Sequence, residues 1–179
     1  MKQILTSILV VLLFSCKKED VFRIDASQIT SRDVFGNIIS APDPSDWTIT
    51  DVWNSREIEL FNFSDTITSA ALNRPDTVSF IGMYPNPVSK SGQLRFDVGL
   101  TNPPTKIKLV FVDESFNVIL RETFLLPRHS NSNFSTLALS FNMQYSSFEV
   151  NKYYRVYYSF FDRNGMTSRR GHGDILVRP

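Results

Sequence analysis

The chain has 179 residues, 19 basic against 18 acidic side chains, one cysteine and two histidines. A single cysteine excludes an intrachain disulfide framework and a Cys-based zinc site, and a net charge of +1 gives no basic surface for nucleic acid. Apolar residues at 42% and aromatics at 13% suffice for a packed core, so this length implies one domain plus an additional segment.

Residues 1–15 read MKQILTSILVVLLFS. Lys2 provides a positive start, and the apolar run from Ile8 to Phe14 is too short to span a bilayer, the pattern of a cleavable signal peptide. The run closes on Leu13-Phe14-Ser15-Cys16, followed by Lys17-Lys18-Glu19-Asp20. A leucine three positions before a cysteine, with a small residue directly before it, resembles the lipobox of bacterial lipoproteins. That resemblance implies a diacylglycerol on the Cys16 thiol, cleavage before Cys16, and an acyl chain on the new amine. Cysteine suits the transfer because its thiolate is a strong nucleophile, and several acyl chains bind a membrane far better than one. No other cofactor is expected. The mature chain runs from Cys16 to Pro179, 164 residues, and is formally neutral. Lys17, Lys18, Glu19 and Asp20 resemble the lysine-plus-acid signal that places Bacteroidota lipoproteins on the outer face of the outer membrane. Residues 16–24 form the lipidated tether, and the alternative for the tetrad is that it only solvates this tether and holds the folded part off the headgroups.

Residues 25–76 are irregular in texture. Pro42, Pro44 and Pro75 break any helix, because each residue before a proline is pushed toward extended backbone. Thr50 with Asp51 reads as a helix start, and Trp53, Glu57, Leu60 and Phe61 recur at helical spacing, which predicts a short helix over 50–61. Trp47 and Trp53 either staple this segment onto the following domain or anchor a partner.

From residue 77 to 179 the period is two. Runs over 78–83, 93–100, 105–112, 118–126, 134–141, 152–161 and 173–178 alternate apolar and polar residues. Asp113 to Asn117 and Asp162-Arg163-Asn164-Gly165 supply turns. About seven antiparallel strands in 100 residues predict an all-β fold, a single immunoglobulin-like β-sandwich. Met83-Tyr84-Pro85-Asn86-Pro87-Val88, the hairpin over 110–120 and the Tyr-rich strand with its Gly turn resemble the C-terminal sorting domains of type IX secretion cargo. The resemblance implies the same sandwich. The hairpin turn lacks that family's glycine, and an N-terminal anchor makes a sorting function redundant, so only the fold is carried over.

Catalytic signatures are missing. His129 and His172 stand far apart, no Gly-x-Ser-x-Gly elbow or phosphate loop occurs, and Asp43, Asp46 and Asp51 lack the spacing of a calcium loop. No enzyme activity and no metal is expected. Tyr153, Arg155 and Tyr157 share one strand face and are, with Trp47 and Trp53, the candidate contacts for a partner or a glycan. The expectation is therefore a membrane-anchored accessory module that contacts another outer-membrane or surface protein. The alternative is a surface glycan-binding module.

Overall fold

A strand with alternating side chains presents one apolar face, and two such sheets must close on each other to bury it. The computed structural model describes residues 24–26, 28–67, 72–103, 105–127 and 134–179; the leader, Cys16, Lys17 to Asp20, and His129 lie outside them. Among the described residues there are eight strands: β1 (Val78–Tyr84), β2 (Val88–Ser89), β3 (Gln93–Thr101), β4 (Thr105–Asp113), β5 (Val118–Leu126), β6 (Phe134–Asn142), β7 (Lys152–Asp162) and β8 (Gly165–Arg178). They form a three-stranded sheet in the order β1-β3-β6 and a five-stranded sheet in the order β2-β8-β7-β4-β5. All pairs are antiparallel except the two-residue contact of β2 with β8. This is the expected all-β sandwich, and its first six long strands match the predicted runs to within one residue.

Between the sheets lie Met83 from β1, Leu94, Phe96, Val98 and Leu100 from β3, and Ile107, Leu109 and Phe111 from β4, all fully buried. Val156, Tyr158 and Phe160 from β7 and Ile175 and Val177 from β8 complete this core. A second apolar cluster forms on the outer face of the five-stranded sheet, where Val110, Val112 and Tyr157 meet Ile24, Ala26, Trp53, Leu60 and Phe61. The irregular segment therefore covers that sheet as a third layer.

Two expectations need correction. The helix, α1, spans only Ser55–Glu59 instead of 50–61, with Asn54 as its cap: the Asn54 side chain accepts from the Arg56 and Glu57 backbones, and Glu57 reaches back to Asn54 N–H. Thr50 and Asp51 are unavailable to a helix because they pair with β8, through the Thr50–Arg170 bridge and the Asp51 N–H to the Arg170 carbonyl at 3.0 Å. The final strand begins at Gly165, not Gly173. Its first half carries no apolar stripe because Gly171 and Gly173 leave room on the core side for residues 47 and 48. A Cβ on Gly171 would stand 2.0 Å from the Thr48 carbonyl oxygen, and one on Gly173 would stand 2.3 Å from the Trp47 ring. Into that space Trp47 inserts, stacked on Tyr158 at 6.0 Å between centroids with planes 4° apart.

Gly173→Ala should therefore destabilise the fold by about 2–3 kcal/mol, since the added methyl overlaps a ring packed against β8. Denaturant unfolding followed by tryptophan fluorescence checks this. An unchanged midpoint would show that Trp47 is not seated there.

Candidate interaction surface

The residues expected to form a contact surface are mostly inside. Trp47 is 8% exposed and Trp53 6%, and Tyr157 is fully buried. Trp53 stacks on Phe61 at 5.0 Å and meets Tyr157 edge-on at 5.6 Å, while Phe116 meets Tyr157 edge-on at 6.0 Å. The Tyr157 hydroxyl donates to Glu57 Oε1 at 3.0 Å, and burial pushes that phenol well above its ordinary pKa. Arg155 is spent in a two-pronged pair with Asp174 at 2.8 and 2.7 Å and donates to the Asp25 carbonyl at 2.6 Å. Tyr153 is half-buried and lines a small acidic recess of about 190 Å³ with Asp113, Glu114, Glu149 and Lys152. The strip Tyr153–Arg155–Tyr157 is thus a packed face under the irregular segment, and a sugar ring has no bare aromatic platform on it.

What brings the segment there is the edge of β8. Trp47 N–H donates to the His172 carbonyl at 2.8 Å, and Arg170 N–H donates to the Ile49 carbonyl at 3.2 Å. Farther along, Asp46 Oδ1 accepts from Asp174 N–H at 2.6 Å, and Asp46 Oδ2 accepts from Thr30 N–H at 2.8 Å. Asn86 continues the row: its amide donates to the Asp174 carbonyl at 2.8 Å and its oxygen accepts from Leu176 N–H at 3.1 Å. β2 then pairs with Val177 and Arg178. From Arg170 to Arg178 the outer edge of β8 is closed by backbone and by side chains that imitate backbone, a device that prevents another chain from pairing there.

His172 and Asp51 belong to the same seal. Their side chains are hydrogen-bonded, and Thr48 donates to the same carboxylate. Burial alone would raise the Asp51 carboxyl, but the bonds from His172 and Thr48 hold it below its ordinary value. The hydroxyl of this trio bonds the acid, not the imidazole, so the order differs from a nucleophile–histidine–acid relay. On β4, Lys106 and Lys108 clamp the end of the segment. Lys108 donates to the Phe63 carbonyl at 2.7 Å, pairs with Asp65 at 3.0 Å and lies 4.2 Å from the Phe63 ring centre. Among the described residues no group of three His, Cys, Asp or Glu side chains could hold a metal ion. Asp43, the third acid considered for calcium, caps its own turn by accepting from Ser45.

Asn86, Asp46, Asp65 and Lys108 were missed as organising residues. For Asn86 the sequence did carry a signal: between two prolines, which donate no N–H, an asparagine side chain carries both a donor and an acceptor with which to bond a neighbouring strand.

The free surface lies elsewhere. β1 is an edge strand, and among the described residues no backbone group pairs with the outer side of residues 78–81. Beside it runs a groove of about 350 Å³ with Ile38, Pro42, Ile49, Val78 and Phe80 on its apolar wall and Thr30, Arg32, Asp43 and Asp46 on its polar one, with Phe80 46% exposed. No protein-family model matches the chain, and no curated protein is significantly similar to it in sequence.

Asp46 gives the seal a measurable pH response. Burial, with the nearby Asp174 carboxylate, pushes its carboxyl up to about 6 against the opposing backbone bonds. A raised carboxyl stabilises the fold fully below the unfolded value near 3.8, and that stabilisation is lost as pH rises through 6. Relative to Asp46→Asn, the native protein should gain about 2 kcal/mol between pH 7 and pH 4. Parallel pH profiles for the two proteins would contradict it.

Proposed function

We propose that this protein is a lipid-anchored, non-catalytic accessory module that holds a partner at the outer membrane through its open β1 edge. The anchor part of the reading rests on the lipobox-like Leu13-Phe14-Ser15-Cys16, with covalent diacylglycerol and an N-acyl chain on Cys16, and on Lys17 to Asp20 as the cue for display on the cell exterior. The observation that carries the interaction part is the contrast between two edges of one sandwich. From Arg170 to Arg178 the β8 edge is closed, whereas among the described residues no backbone group pairs with the outer side of residues 78–81, which border a groove with an apolar wall. An open edge is an aggregation hazard unless something pairs with it, and an extended segment can add to such an edge through main-chain hydrogen bonds while its alternate side chains fill the groove. Phe80, Ile38, Pro42 and Ile49 favour an apolar segment of a protein over a glycan.

The test is purification of the tagged protein from gently solubilised outer membranes. A membrane protein in constant ratio should co-purify with the native chain and be lost with Phe80→Asp, while Cys16→Ser should move the protein out of the membrane fraction. Recovery of the native chain as a monomer at low salt would contradict the accessory role. Unaltered membrane attachment of Cys16→Ser would contradict the anchor.

A further inference from the structure

Two loops of this protein are built on the same clamp. In the loop Asp33-Val34-Phe35-Gly36-Asn37, Asp33 Oδ1 accepts from the Phe35 and Asn37 backbones and Oδ2 accepts from the Asn37 side chain. In Asp113-Glu114-Ser115-Phe116-Asn117, Asp113 accepts the corresponding three bonds from Ser115 and Asn117. The fourth residue has a positive φ in both, 86° at Gly36 and 65° at Phe116. The geometry is shared, but the tips differ. The second loop shows Glu114 and Ser115 to water, and the first shows Val34 at 64% and Phe35 at 83% exposure, with Ile39 exposed behind them. Turn chemistry therefore does not require the apolar tip, and neither residue belongs to either core cluster.

The apolar loop is also held rigidly. Gly36 sits against the Tyr84 ring, Arg32 donates to the Gly36 carbonyl at 2.9 Å, and Arg32 exchanges backbone bonds with Asn86 at 2.8 and 2.9 Å. The N–H groups of Asp33, Phe35, Gly36, Asn37 and Ile39 all donate within the hairpin. Carrying the tip into a weakly hydrated interface thus leaves those donors satisfied, which is the condition for irregular backbone at a membrane.

Its place in the fold supplies the occupant. Asn86, which bonds Arg32, also bonds Leu176 beside Ile175; Ile175 pairs with Tyr154, and Tyr154 with Asp113. Ile24 N–H donates to the Glu114 carbonyl at that same end of the sandwich. Cys16 lies eight residues before Ile24, so an anchor there reaches at most about 28 Å from this end. We infer that the Asp33–Asn37 hairpin is a second membrane contact: Val34 and Phe35 seat in the headgroup region and orient the sandwich on the lipid surface. The inference rests on the anchored reading above.

The test uses the acylated protein in vesicles of phosphatidylethanolamine and phosphatidylglycerol, with Phe35→Trp or Ser115→Trp as reporter. Brominated acyl chains should quench the position-35 tryptophan and leave the position-115 one unaffected, since the second loop is the same structure with a polar tip. In the mature chain carrying Cys16→Ser, Val34→Glu with Phe35→Ser should lower vesicle partitioning roughly tenfold. That pair transplants the tip of the second loop, so an unchanged unfolding midpoint is expected. An unquenched position-35 tryptophan in vesicles that retain the protein would overturn the inference, and burial of that residue only within a native membrane complex would assign the tip to a protein partner instead. The mass of the N-terminal peptide of the same sample reports acylation of Cys16 separately. Quenching without acylation would leave the hairpin standing and remove the anchor.

Discussion

The row of hydrogen bonds along the free side of β8 is the constraint on which the rest depends. A strand of this length at the edge of a sheet exposes alternate N–H and C=O groups that must find partners. Here they are met by residues 47–51, by the Asp46 carboxylate, by the Asn86 amide and by β2. Each of those partners lies outside the long strands. The irregular first third of the chain is therefore a structural part of the sandwich, because without it β8 would be open from Arg170 to the Asp174 N–H.

Once the segment is fixed there, its other contacts follow from geometry. Trp47 must enter the core beside Gly173, since its own backbone is bonded to His172. The chain then crosses the outer face of the five-stranded sheet, where Trp53, Leu60 and Phe61 cover Tyr157, Val110 and Val112. Lys108 closes the crossing by pairing with Asp65 and donating to the Phe61 and Phe63 carbonyls. A buried lysine is tolerable only when its charge is met so completely. The consequence is that the aromatic face best suited to a sugar is occupied by the first segment.

Strand positions were legible because alternation is a local property. Phe96 and Leu109 announce an inward face whatever the rest of the chain does. β8 was half-hidden for the opposite reason: Thr167, Arg169, Arg170 and His172 look like loop residues until the partner segment that uses their edge is known. The helix was overextended for a similar reason, since Thr50 and Asp51 have the composition of a cap but are claimed by a strand 120 positions away. Of the candidate site residues, the sequence identified aromatic side chains of consequence without showing which surface they belong to. Periodicity places Tyr157 on a face, and only the long-range pairing of residues 46–51 decides that the face is covered. The sealing residues were least visible, because Asp46 and Asn86 bond backbone and leave no pattern of type or spacing beyond the flanking prolines.

The most direct measurement is native-state hydrogen exchange read at single amides. Trp47, Asp51, Asp174 and Leu176 should exchange as slowly as the central β7 amides, through the same global unfolding, if the first segment seals β8 as an integral part of the fold. Rapid exchange at Trp47, Asp51 and Asp174 while β7 stays protected would show that the segment opens independently and that the sandwich stands without it.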